Sequence, residues 1–256
     1  QVFTKTPSQW REPKLDRGTC QRFQHEVRRN SLRQVLSHDS YLINLASPDL
    51  ALNGRSIEAF AAELRRCEAL GIPLVVSHPG NYLDDRDRGL KRNAAAYASC
   101  LEAVPGSVMV LLETTAGSGT ALGSSFEELA ELRNRIPEPF RRRIGFCADT
   151  CHLYAAGYDL VHDFDGVWAR WERVIGLAHL RCLHLNDSKT PFASRRDRHE
   201  LIGEGSLGAS PFRRLMTDAR FATIPKILET PKGDDMVTQD RRMLRRLRAY
   251  ARRAAR

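Results

Sequence analysis

Between Cys147 and Asp159 the chain reads CADTCHLYAAGYD, directly after the apolar run IGF. Asp149 stands there three residues ahead of His152. A carboxylate and an imidazole so close to the end of a strand serve either a capped turn or a metal site. Other apolar runs end in the same way. His38 closes QVLSH, His78 closes PLVVSH, Glu113 closes VMVLLE, His184 closes RCLH and Glu229 closes KILE, while Asp197 and His199 lie in RRDRHE. Taken singly, each has an ordinary reading as a loop histidine, a turn or a solvated charge. A carboxylate after a buried run is nevertheless costly to desolvate unless it is paired or metal-bound. Taken together, five of the eight histidines and four acids follow strands. That set exceeds one ion, because a catalytic zinc takes three protein ligands and leaves one position open. Nitrogen and oxygen donors without thiolate suit Zn²⁺, Mn²⁺ or Fe²⁺ better than Mg²⁺. Two or three such ions, about 3.5–4 Å apart, clamp a phosphodiester and generate hydroxide at neutral pH. Sugar isomerases also hold metals with carboxylates and histidines, so spacing alone leaves both chemistries open.

The elements that must position these residues recur about every 35 to 40 positions. Strand-like runs occupy 1–5, 34–40, 73–80, 107–117, 144–152, 181–189 and 225–231. They are continuously apolar and do not alternate, as expected of parallel strands buried on both faces. Helical patterns separate them. One is expected to start at Ser56 and stop at Gly71. Another carries a capping box, Ser125 with Glu128, and a third a Ser210 cap ahead of Pro211. Alternation of strand and helix implies parallel βα units. In an open doubly wound sheet, ligands gather at a switch point, whereas in a (β/α)8 barrel all strand C-termini converge on one mouth. Six strands delivering polar residues favour the α/β class and the TIM barrel.

Composition adds bounds. The chain has 256 residues and a formal net charge of +9, from 40 Lys and Arg against 31 Asp and Glu. Such an excess favours a polyanion such as nucleic acid. Six scattered cysteines without a CxxC pair indicate a reducing compartment. No run approaches the ~18 apolar residues of a membrane span. No linker is evident, so residues 1–256 read as one barrel domain, with about 241–256 as the last helix and an Arg-rich tail.

The segments HDSYLINLASP, HPG, ETTAGSGT, DTCHLYAAGYDL, HLNDSK, DRHELIGEG and ILETP, in this order, resemble the endonuclease IV family from Phe3 to about Pro231. That resemblance implies a (β/α)8 barrel with three zinc ions and cleavage of DNA 5′ to abasic sites, leaving a 3′-hydroxyl and a 5′-deoxyribose phosphate. It implies one zinc on His38, His78 and Glu113, and a second sharing Glu113 and adding Asp149, His184 and Glu229. The third is implied on His152, Asp197 and His199. A hydroxide bridging the first two ions is implied as the nucleophile, oriented by Glu229, with Glu113 and Asp149 also catalytic through the metals. Cys147 and Cys151 flank the ligands and are expected to be buried small hydrophobes.

Family members select an abasic nucleotide because it is cheap to flip out of the stack. Tyr41 and Leu42 match their wedge, and Gln9 matches a residue that fills the gap. Lys5, Lys189, Arg195, Arg196 and Arg198 are expected to neutralise phosphates. The Arg-rich tail is expected to add salt-sensitive DNA affinity or to be a solvated face. The sequence departs from the family at Ser8, where an inserting Arg is often found. It also departs ahead of the FTK segment, where the family has a further strand and helix. The barrel is therefore expected to lack its first βα unit and to leave strand edges unpaired. A monomer acting on double-stranded DNA is implied, in a bacterial cytoplasm and on the nucleoid through DNA, without a membrane partner. Two alternatives are a metal-dependent sugar isomerase or epimerase, to which Asp197 and His199 would be surplus, and a protein that binds abasic DNA without cutting it.

Overall fold

The computed structural model describes residues 1–253. The end of the expected Arg-rich tail, 254–256, lies outside the described residues. In chain order the elements begin with α1 (Arg17–Arg29), β1 (Leu36–His38), α2 (Leu50–Leu70), β2 (Leu74–Ser77), α3 (Arg86–Ala103) and β3 (Met109–Glu113). There follow α4 (Phe126–Arg135), α5 (Glu138–Arg141), β4 (Ile144–Asp149), α6 (Thr150–Ala156), α7 (Phe164–Val174) and β5 (Leu180–His184). The chain continues with β6 (Asp187–Ser188), β7 (His199–Glu200), α8 (Ser210–Thr217), β8 (Lys226–Ile227) and α9 (Thr238–Arg253). No helix among the described residues is long and apolar enough to cross a membrane.

Two compact units form. The first comprises residues 1–113, 119–123 and 128–146. Its strand order is β1-β2-β3-β4, and β1 to β3 pair in parallel, with His38 beside Val76 and Ser77 beside Leu112. Every residue of β1 and β2 is buried, which explains their unbroken apolar character. α2 begins earlier than the sequence suggests. Asp49 is its cap, accepting from the amides of Ala51 and Leu52, and Ser56 lies inside the helix. The hydroxyl of Ser56 instead accepts from the Asn44 amide, a tertiary use that imitates a cap in sequence. Gly71 ends the helix in the left-handed region, φ 71°, as expected.

The expected strand at 1–5 is reduced to one parallel bridge, Val2 with Ser37. The next residues turn instead into a buried charge network. Glu63, on α2 and 1% exposed, accepts from Thr4 Oγ1 at 2.6 Å, Ser37 Oγ at 2.5 Å and Arg66 Nη2 at 2.5 Å. Arg66 also donates to Thr4 at 2.7 Å and pairs with Glu12. Lys5 donates to Glu12 at 2.6 Å with its side chain 3% exposed. Lys5 is therefore committed to the fold, and this corrects its expected place among the phosphate-neutralising residues.

The second unit comprises 114–118, 124–127 and the chain from Cys147 on, with strand order β4-β5-β8. Leu183 stands beside Lys226 and His184 beside Ile227. Its core holds Phe164, Trp168, Trp171, Phe212 and Phe221, all fully buried. The Trp168 and Phe221 rings lie 4.6 Å apart. At α8 the cap position is taken by Ala209, and Ser210 with Pro211 forms the first turn, one residue off expectation. α9 starts at Thr238, a little before the expected 241. The short antiparallel pair β6–β7 sets Asp187, in the expected strand run 181–189, opposite Glu200, and Ser188 opposite His199 in the charged stretch RRDRHE.

Removing the Glu63 carboxylate leaves the buried Arg66 guanidinium with only Glu12 and Thr4 as partners in the first unit. Glu63→Ala should cost about 3–5 kcal/mol of unfolding free energy. Chemical denaturation measures it, and a loss within ~0.5 kcal/mol would show that the network is not structural.

Candidate metal centres

The strands deliver their polar side chains at their C-terminal ends. In the first unit, His38 ends β1, His78 follows β2 and Glu113 ends β3. His38 Nε2 lies 3.2 Å and His78 Nε2 3.0 Å from the same oxygen, Glu113 Oε2. Glu113 is fully buried, and the three ligand atoms lie within 4.8 Å of one another. The orientation of His38 is informative. Its Nδ1 sits 2.9 Å from the Asp39 carbonyl oxygen, which can only accept. Nδ1 therefore carries hydrogen, and in the neutral ring Nε2 presents a lone pair to a carboxylate. Two acceptors facing each other at hydrogen-bond distance require a cation between them, either a proton or a metal ion.

The second unit repeats this arrangement twice. His152 Nδ1 donates to the Thr114 carbonyl at 2.8 Å, and its Nε2 faces Asp197 Oδ2 at 3.1 Å. His199 Nδ1 donates to the Glu229 carbonyl at 3.2 Å, and its Nε2 faces Asp197 Oδ1 at 3.2 Å and Asp149 Oδ2 at 3.6 Å. His152, Asp197 and His199 thus form one ligand group. His184 Nδ1, fully buried, meets Glu229 Oε2 at 3.0 Å and Asp149 Oδ2 at 4.0 Å. Imidazole nitrogens opposed to carboxylate oxygens, with the remote nitrogen fixed by a carbonyl, are the donor set of a divalent-ion site. The residues present fit the metal that the donor chemistry implies.

Asp149 carries two duties. Its Oδ1 caps α6 by accepting from the His152 amide at 2.9 Å, so the capped turn expected as one reading is real. Its Oδ2 accepts from Asn186 Nδ2 at 2.5 Å and faces the two histidines. Asn186 Oδ1 receives the Glu229 amide at 2.9 Å, so one carboxamide ties both carboxylate segments. Sequence reasoning passes over Asn186, although it stands between His184 and Asp187 in HLND. It also passes over Thr114. The Thr114 amide donates to the Cys147 carbonyl at 3.0 Å and its hydroxyl accepts from the Asp149 amide at 2.9 Å. Asp187 accepts four amides, from Ser188 and Leu207 on Oδ1 and from Gly203 and Gly205 on Oδ2. That anchors the loop after β7. A Cβ on Gly205 would stand 2.6 Å from Asp187 Oδ1.

Cys147 and Cys151 are fully buried, and Cys147 and Cys182 present their sulfurs within 4.8 Å of a His184 nitrogen. Burial and the Asp149 charge push the Cys151 thiol up to about 12. Burial alone would lower His199 and raise Asp197. Asp149 and Asp197 overcome it and raise His199 to about 9, while His152 and His199 hold Asp197 well below the usual carboxylate range.

The expected DNA contacts occupy exposed loops. Gln9 is exposed, and its loop is held to the one carrying Tyr41 and Leu42, where Ser40 Oγ donates to the Pro7 carbonyl at 2.6 Å and the Tyr41 amide to the same oxygen at 3.1 Å. Tyr41 is 70% exposed, its ring edge-on to Phe3 at 5.3 Å, and Leu42 is half-buried. Lys189, Arg195, Arg196 and Arg198 are exposed around the β6–β7 connection. Lys189 lies 3.7 Å from Glu200, and Arg198 donates to the Asp197 carbonyl at 2.7 Å.

Comparison with known proteins adds the lineage. A family model described as a xylose isomerase-like TIM barrel matches residues 1–247. A probable endonuclease 4 of Chloroflexus aggregans is 47% identical over 256 residues, covering 98% of this chain and 88% of the relative. Another, of Geobacter sulfurreducens, is 47% identical over 239 residues, covering 92% of this chain and 80% of the relative. The crystal structure of endonuclease IV from Thermus thermophilus superposes with a TM-score of 0.87 at 32% identity, covering 98% of this chain and 88% of that one. A D-tagatose 3-epimerase-like protein shares the fold at 16% identity, with a TM-score of 0.71 and coverage of 93% and 84%.

The raised His199 gives a signed expectation. Its ordinary value is 6.5 and its folded value about 9, so the stability it adds to metal-free protein is complete below pH ~6.5 and is lost as pH rises through ~9. The melting temperature of metal-free protein should fall across that window. Added zinc must displace the His199 proton, so its stabilising effect should grow over the same window. His199→Gln should flatten the metal-free profile, and a wild-type profile already flat there would refute the coupling.

Proposed function

The chain belongs to the endonuclease IV family, and from that premise we propose that it is a zinc-dependent endonuclease that cuts double-stranded DNA on the 5′ side of abasic sites. Its class is that of a nuclease, a phosphodiester hydrolase. The carrying observation is the thrice-repeated pairing of an imidazole, fixed through Nδ1 by a backbone carbonyl, with a carboxylate facing Nε2. Three ligand sets are assigned, two on that basis and the set of His184 on the approach of its Nδ1 to Glu229 Oε2 at 3.0 Å. They are His38, His78 and Glu113; Asp149, His184 and Glu229; and His152, Asp197 and His199. Bound divalent ions would supply Lewis-acid polarisation of the scissile phosphate, an activated water at neutral pH and charge for the leaving oxygen. Zinc suits these nitrogen and oxygen donors, and Mn²⁺ or Fe²⁺ suits some of them.

The protein's own groups do the rest. Glu229, half-buried with its backbone held by Asn186, is the carboxylate assigned to orient the attacking water. Glu113 and Asp149 are assigned to fix ligand geometry, because both are buried and neither can turn without losing its partners. Lys189, Arg196 and Arg198 are assigned to backbone phosphates. Tyr41 and Leu42 would enter the duplex where the missing base leaves no stacking to break, and Gln9 would fill the vacated space. The reaction leaves a 3′-hydroxyl and a 5′-deoxyribose phosphate, and the enzyme acts as a monomer in the cytoplasm, on the nucleoid through DNA. An epimerase on this fold would have no use for the His152–Asp197–His199 group, which favours the nuclease reading.

Metal-loaded protein should nick a duplex bearing one tetrahydrofuran abasic analogue, 5′ to the lesion, and chelator should abolish the nick. Cutting that ignores the lesion, or survives the chelator, would overturn the proposal. Glu229→Gln should lower the cleavage rate about 10²–10⁴-fold while abasic-duplex affinity stays within a few-fold. A near-normal rate would remove Glu229 from its role.

A further inference from the structure

The last helix carries a feature that this activity does not use. Seven of the sixteen residues of α9 are arginines, and one, Asp240, is acidic. At 3.6 residues per turn, Arg241, Arg245, Arg248 and Arg252 follow one another at intervals of four, three and four, so they fall within about 60° on one face. Met243 and Leu247, the residues α9 buries, lie on the opposite face. The four arginines are exposed, and among the described residues none meets a carboxylate within ion-pair distance. The neighbouring positions behave differently. Arg242 and Arg246 pair with Glu204 at 2.9 and 3.0 Å, and Arg246 also bonds the Ile202 carbonyl. Asp240 is taken by Lys232 at 2.9 Å. Glu204 and Asp240 are thus spent on the two flanks of the helix, and the outward stripe between them keeps its charge.

We propose that this stripe is a second contact surface for the phosphate backbone of double-stranded DNA, independent of sequence and of lesion. The proposal rests on the DNA-directed activity above. It spans about 16 Å, from 11 residues at 1.5 Å each, and a duplex carries one charge per ~1.7 Å of axis, so several phosphates lie in reach. Planar guanidinium groups bind phosphate in a forked geometry that lysine lacks. A lipid surface is a poorer fit, because membrane-lying helices insert an apolar face and here Met243 and Leu247 are already buried. Arg246 and Glu204 also tie α9 to the loop that continues from His199, so the stripe sits on an element joined directly to the third ligand group. The stripe would hold the enzyme on undamaged duplex between encounters with lesions.

The test uses the full chain loaded with zinc and the fourfold variant R241Q/R245Q/R248Q/R252Q. Affinity for an undamaged duplex is read by fluorescence anisotropy from ~50 to ~200 mM salt. The slope of log K against log salt should shrink by about 2–3, and affinity at the low-salt end should drop at least tenfold. kcat on saturating abasic duplex should be unchanged while KM rises. The fourfold Lys variant should recover most of the slope, which separates charge from helix stability. An unchanged slope and affinity would overturn the proposal, as would an unchanged slope together with lost binding to phosphatidylserine vesicles. If wild-type protein binds duplex through the stripe yet cuts no abasic duplex, the surface stands and the nuclease reading falls.

Discussion

The structure depends on one constraint, that an acceptor cannot rest against an acceptor in a dry interior. Backbone carbonyls take Nδ1–H of His38, His152 and His199, and so force each ring to aim its lone pair at Glu113, Asp197 or Asp149. Only a cation reconciles the groups, and a buried carboxylate without one is costly. A place for a cation, a metal ion or a proton, is therefore written into the hydrogen bonds on the far side of each ring. Without a metal ion a proton takes that place, which is why His199 is so basic and Asp197 so acidic.

Neighbouring contacts keep that opposition from relaxing. Asn186 grips Asp149 through its amino group and Glu229 through its carbonyl, an orientation that admits no flip because a carboxylate only accepts and an amide only donates. Thr114 spends its amide, hydroxyl and carbonyl on Cys147, Asp149 and His152. In the first unit, Glu63 and Arg66 secure Thr4 and Ser37, the latter adjoining His38. These groups do no chemistry, but they narrow the ways each ligand can turn.

Much of the site is legible in the sequence because strand ends mark themselves by a change from apolar to ionisable residues. His38, His78, Glu113, Asp149, His184 and Glu229 all stand at or just past the end of a strand-like apolar run. The residues that support them are not marked in this way. Asn186 and Thr114 resemble ordinary loop residues until their partners, dozens of positions away, are in place. Ser56 looks like a helix cap because a serine before a periodic run has two uses, local and tertiary, and here the tertiary one prevails. Lys5 looks like a phosphate ligand because sequence cannot distinguish a solvated lysine from one facing Glu12. The first expected strand shrinks to a bridge for the same reason, since Thr4 and Lys5 bond to side chains rather than to a ladder.

The loop that follows His199 presents the amides of Gly203, Gly205 and Leu207 inward, and Asp187 fills their focus. Converging glycine amides of this kind form a nest that, in other proteins, captures phosphate. Here the chain supplies its own anion. The nest is self-liganded, closed to incoming nucleotides, and works as an internal rivet. On the proposed reading, recognition of the DNA backbone is thereby left to exposed cationic side chains, whose salt-sensitive grip could be released and renewed along a duplex.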